Sequence, residues 1–213
     1  MPEPIEVPWL EEGQIQARAE AFLAEQQCLD VFPVPVELIV ERQGIDIFPL
    51  AGLRQNYDID GFTSADRKMI YVDEWSSKWL ENRYRFTLAH ELGHVILHGD
   101  LLDSHSSSVK SLEQWLHLRQ SIDEASWRRF EWQANYFAGH LLVPSKALGQ
   151  QYSRVLPGTR QRVEEALRQG FRKSAVIGPA WDSLVEEIAS YFQVSEPVVR
   201  IRLAKEEFSP ASL

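Results

Sequence analysis

The chain has one cysteine, two methionines and no apolar run of membrane-spanning length. A lone Cys28 excludes an intrachain disulfide, and without about 20 consecutive apolar residues no segment can cross a bilayer as a helix. Positive charge is also scarce: 22 Lys and Arg stand against 31 Asp and Glu, a formal net charge of −9. That balance argues against general affinity for nucleic acid, because neutralised phosphates supply most non-specific binding. The opening Met1–Val7 is acidic and interrupted by two prolines, unlike a secretory or transit leader, so a cytoplasmic location is expected. What the chain does have is 44% hydrophobic content over 213 residues, enough for one sizeable core and a small appendage.

Its most informative stretch runs from Phe86 to His98 and contains His90-Glu91-Leu92-Gly93-His94. Residues four apart share one face of an α-helix, so His90 and His94 can turn a ring nitrogen to the same metal ion, with Glu91 just beside them. Imidazole suits zinc, and a catalytic zinc keeps three protein ligands and one place for water, which Glu91 would deprotonate. A short match of this kind also arises by chance on ordinary helices. Here Leu88, Leu92, Val95 and Ile96 recur at helical spacing and place the histidines on a defined face of a core helix.

A third ligand must come from downstream, where Asp100, Asp103, His98, His140 and Glu131 are candidates. Asp100 falls at a short-spacing ligand position, but Leu97 stands where that pattern needs Gly. Glu131 is better placed. Ser121-Ile122-Asp123-Glu124 reads as a capping box opening a second helix, in which Phe130, Ala134, Phe137, Ala138 and Leu141 form one apolar stripe and which Pro144 terminates. Asn135, one turn beyond Glu131, could hold the outer nitrogen of a ligating histidine. His98 lies one further turn along the ligand face, as a supporting group or as a helix-end histidine meeting the dipole. For steadying an oxyanion, Tyr84, Tyr136 and His140 are open alternatives.

The run Arg85–His94, followed by Glu131–Ala138 and Leu141-Leu142-Val143-Pro144, resembles the ImmA/IrrE family of bacterial and phage zinc metallopeptidases. The likeness reaches upstream through Pro35–Ile39, Gly44–Ile47, Gly61-Phe62 and Met69–Val72, so it covers most of residues 14 to 144. The resemblance implies His90, His94 and Glu131 as ligands, with zinc expected and manganese or another divalent ion open. It also implies Glu91 as the base, and a site-specific protease whose cleavage of a helix-turn-helix repressor relieves repression.

The expected fold is therefore α+β: a zincin-like core with a small antiparallel sheet over residues 1–150, then a helical module over 151–213. Residues 60 to 73 read as a hairpin, and Met69, Ile70, Tyr71 and Val72 as an exposed edge strand that an extended substrate could join. The Ser-rich segment from Gly99 to Gln120 reads as a connector, or alternatively as a lid. Around 181–207 the pattern resembles a helix-turn-helix, but Glu196-Pro197 occupies the place where a recognition helix needs base-reading side chains. A module that docks a protein partner is the better reading, and DNA binding is not expected to be primary. Two rivals to the peptidase stand: a non-cleaving anti-repressor, and a DNA-binding regulator with a structural metal.

Overall fold

The computed structural model describes residues 6–64, 66–105 and 112–213. They form two compact units: the first takes residues up to Leu29 together with Pro35–Leu141, the second Asp30–Val34 with Leu142–Leu213. Among the described residues no helix is long and apolar enough to cross a membrane.

In the first unit, α1 (Glu12–Glu25) buries Ile15, Ala19, Phe22 and Leu23, the stripe that its 3.6-residue period dictates. After α2 (Val36–Arg42) come β1 (Asp46–Leu50), α3 (Leu53–Tyr57), β2 (Gly61–Thr63) and β3 (Met69–Asp73). The sheet has the order β1-β3-β2, with β1 parallel and β2 antiparallel to β3. It is thus mixed rather than the antiparallel sheet expected. The β2–β3 hairpin forms as the sequence suggests, and α3 lies in the link by which the chain leaves β1 and returns to the sheet. Proline explains the order: Pro49 of β1 has no N–H to give a second neighbour, which confines β1 to an edge, while Ile70 and Val72 of β3 are almost fully buried at the centre.

This order corrects the assignment of Met69, Ile70, Tyr71 and Val72 as a substrate rail. Both edges of β3 are already hydrogen-bonded, so no peptide can add to it; among the described residues β1 and β2 each keep an unpaired side, and of the two it is β2 whose Gly61 and Thr63 line the cleft.

At the end of β3, Asp73 accepts from the Ser76 amide at 2.9 Å and the Arg54 amide at 3.1 Å, capping α4 (Glu74–Trp79) and tying it to α3. The unit closes with α5 (Glu81–His105), α6 (Leu112–Ser121) and α7 (Glu124–Leu142). Residues 106–111 of the connector or lid lie outside the described residues, and the segments flanking them are helical. The cap of α7 is Asp123, not Ser121, which ends α6. One Asp123 carboxylate oxygen accepts from the amides of Ala125 and Ser126, as well as a serine hydroxyl could from its own helix.

Helices α5 and α7 meet at Gly93. A Cβ there would sit 3.1 Å from the Ala134 backbone and 3.3 Å from the Phe137 ring. That contact brings the histidine face of one helix onto the Glu131 face of the other. The second unit consists of α8 (Ser145–Arg168), α9 (Lys173–Phe192) and α10 (Glu196–Lys205). Gln193 at φ +50 turns the chain between the last two helices. Within it, buried Arg202 donates to the Val143 carbonyl and the Ser145 hydroxyl and pairs with Glu206.

Candidate metal centre

His90, His94 and Glu131 come together: one ligand atom from each lies within 4.8 Å of the others. His90 Nε2 is 3.0 Å from His94 Nε2 and 3.3 Å from Glu131 Oε2, and His94 Nε2 is 3.6 Å from Glu131 Oε1. Donors held about 2.0–2.1 Å from one tetrahedral zinc lie roughly 3.3 Å apart, so the spacing fits that ion without rearrangement. Asn135 Oδ1 lies 3.2 Å from His90 Nδ1, and a neutral ring that donates there turns a bare Nε2 lone pair to the cluster. Two ring nitrogens and a carboxylate converging at this range suit a shared cation. Asp100 is exposed and does not belong to the group.

Electrostatics within the cluster run the same way. Burial works against charge on Glu131, yet the imidazoles of His90 and His94 outweigh it and hold the carboxyl well below the usual range. Burial likewise opposes a proton on His90, and the Glu131 carboxylate beside it raises the imidazole above its ordinary value. The carboxylate and the rings therefore favour positive charge between them, as a proton or as a metal ion.

Glu91 is buried on the neighbouring face of α5, and the Thr63 hydroxyl donates to its Oε2 at 2.7 Å. Gly61 and Thr63 share one face of β2, and a Cβ at Gly61 would stand 2.9 Å from the Tyr71 carbonyl and 3.7 Å from Glu91 Oε1. The cleft in front of these groups has a volume of about 490 Å³. Asp58, Asp60 and Gly61 bound it on the sheet side, and Trp115, Trp127 and Phe130 on the α6–α7 side. Arg83 and Arg54 hold Asp60 at 2.7–2.8 Å.

None of the three oxyanion candidates lines the cleft. Tyr84 donates to Glu37 at 2.6 Å, Tyr136 donates to Glu12 at 3.0 Å, and buried His140 packs against the Tyr136 ring. His98 is buried beside His94, with burial and then the neighbouring ring pushing its pKa down to about 3. Two polar contributors are invisible to motif reading. Thr63 is far from the motif in sequence, although the period-2 alternation that puts it on the face of Gly61 is a usable signal. Gln133 is only two positions from Glu131, which on a helix means pointing elsewhere.

A family model described as the IrrE N-terminal-like domain, a Peptidase M78 family, matches residues 40–204. A solved structure of a Mycobacterium tuberculosis transcriptional regulator superposes with a TM-score of 0.52 at 18% identity, over 90% of this chain and 46% of that one. The likeness is one of fold, and this chain spans less than half the length of that protein. No curated protein matches.

Proposed function

The chain belongs to the IrrE N-terminal-like family of M78 peptidases, and from that premise we propose that it is a zinc-dependent endopeptidase that cleaves one specific protein, a helix-turn-helix repressor, to relieve repression. The observation that carries the reading is the pairing of an open three-donor cluster with a separately anchored carboxylate. A metal held by His90, His94 and Glu131 supplies Lewis acidity and lowers the pKa of water there. Glu91 accepts the proton of the attacking water and passes it to the leaving amine nitrogen. Thr63 occupies Oε2 of that carboxylate, which orients Oε1 toward the cleft for the transfer. A purely structural zinc would want a fourth protein ligand and no base.

An extended substrate joins β2, whose Gly61 and Thr63 line the cleft, through main-chain hydrogen bonds. The helical second unit docks the partner rather than DNA. On α10, Arg200 is engaged by Asp182 at 2.8 Å and Glu196 at 3.0 Å, and Arg202 is buried. On α8, Arg154 and Arg168 are paired with glutamates.

Glu91→Gln tests the reading, because it keeps size and hydrogen bonding while removing the proton acceptor. Metal content should be unchanged, the uncut partner should accumulate on the variant, and cleavage of that partner should fall by about 10²- to 10⁴-fold. Equal derepression in cells by parent and variant, with the partner intact in both, would establish the anti-repressor instead.

A further inference from the structure

The imidazole of His94 has a second ring nitrogen, turned away from Glu131, and a line of buried groups leads from it to the N-terminal segment. His94 Nδ1 is 3.2 Å from His98 Nδ1, His98 Nε2 is 2.8 Å from Gln133 Oε1, and Gln133 Nε2 is 2.8 Å from the Pro8 carbonyl. All three residues are at most 5% exposed. The two rings also stack on Phe130, at 4.0 and 4.3 Å.

Each proton along this line has one allowed place. A backbone carbonyl only accepts, so the NH₂ of Gln133 faces Pro8 and its oxygen faces His98. The reversed amide would set two oxygens against each other at 2.8 Å. His98 Nε2 must therefore carry a hydrogen, which leaves Nδ1 of this ring bare. His94 Nδ1 must then donate to it, and His94 Nε2 becomes the lone pair that faces His90 and Glu131. We propose that His98 and Gln133, anchored by the Pro8 carbonyl, are positioning residues that fix His94 in its Nε2-ligating tautomer.

The segment that sets this state is itself clamped to α7. Arg129 donates to the Val7 carbonyl at 2.5 Å, Val7 packs against Phe130, and Trp9 stacks on Trp132 at 5.4 Å. A contact 125 residues away in sequence thus selects which nitrogen of a ligand is offered to the metal. The inference rests on the metal-site reading above, and its first test does not.

That test is long-range ¹H–¹⁵N correlation spectroscopy of histidine rings in full-length, chelator-treated parent protein. The expected spectrum shows a protonated Nδ1 on His94 and a protonated Nε2 on His98. The opposite tautomer on either ring overturns the proposal, whether or not the protein binds zinc. The second arm measures zinc affinity by competition with a chromogenic chelator. Gln133→Leu and His98→Phe should each weaken zinc by about ten- to a hundredfold, the usual cost of losing a group that orients a ligand. His98→Gln, whose amide oxygen can again accept from His94, should recover part of that loss. Variants that lose thermal stability but bind zinc as the parent does would reduce His98 and Gln133 to packing residues. A parent that binds no zinc would sink the metal reading, and the tautomer spectrum alone would then decide.

Discussion

Replacing Glu131 by Gln alters one charge and almost no volume, which isolates what the carboxylate contributes to the cluster. In the parent its two oxygens stand 3.3 and 3.6 Å from the Nε2 atoms of His90 and His94, and it is the only anionic member of the three. Groups that merely orient a ligand are worth about ten- to a hundredfold in affinity. Loss of the charged ligand itself should exceed that, weakening zinc by more than about a hundredfold, or roughly 2.8 kcal/mol at 1.4 kcal/mol per tenfold. Asn135→Ala, which releases only the outer nitrogen of His90, should fall within the smaller range, and Asp100→Ala should leave affinity unchanged. The assay is zinc competition against a chelator of known affinity, with circular dichroism to verify that each variant is folded. A Glu131→Gln protein holding zinc as tightly as the parent, beside an Asp100→Ala protein that loses it, would refute the ligand assignment.

Thr63→Val keeps shape but removes the donor to Glu91; a hydrogen bond to a charged group is worth about 1.5–3 kcal/mol, so single-turnover cleavage of the captured partner should drop roughly ten- to a hundredfold. Zinc affinity should hold, and Thr63→Ser should restore the rate. Gly93→Ala pushes a methyl against the Ala134 backbone and should cost about 1–3 kcal/mol, read as a fall in melting temperature of about 2–4 °C per kcal/mol. Asp73→Ala removes the acceptor for two amides and should cost about 0.5–2 kcal/mol in urea denaturation from the cap alone. Burial works to raise the pKa of Asp73, but the Arg54 and Ser76 amides prevail and lower it. Its contribution is therefore complete above the unfolded value of 3.8 and is lost as pH falls from there through the folded pKa. The parent should lose more stability than Asp73→Ala across that acid window.

The sequence discloses what is local. The motif helix, the apolar stripe through Phe130, Ala134 and Phe137, and the hairpin of β2 and β3 each follow from residues a few positions apart, and all three form where the pattern places them. The position of β3 within the sheet was beyond such reading, although Pro49 carried a clue in its missing N–H. The cap of α7 is Asp123 rather than Ser121 because three residues within four positions, Ser121, Asp123 and Glu124, all have capping chemistry, and only backbone geometry chooses between them. Glu131 and Asn135 could be placed because helical spacing sets them on one face. The partners of Glu91 and His98 come from other elements, Thr63 from a strand and Gln133 from the far side of α7. Strand alternation puts Thr63 on the face of Gly61, but no spacing rule links either residue to the histidine motif, so their pairing with Glu91 and His98 is revealed by packing.

Strand β2 is only three residues long. A peptide laid along it could exchange two or three main-chain hydrogen bonds, each worth about 0.5–1.5 kcal/mol net, which sums at most to about the 4 kcal/mol of millimolar affinity. A loose or partly unfolded bystander would drift away before reaction. Only a protein gripped elsewhere as well would stay long enough to be cut. Brevity of a single edge strand would thus act as a safeguard, letting the proposed protease circulate among its neighbours without digesting them.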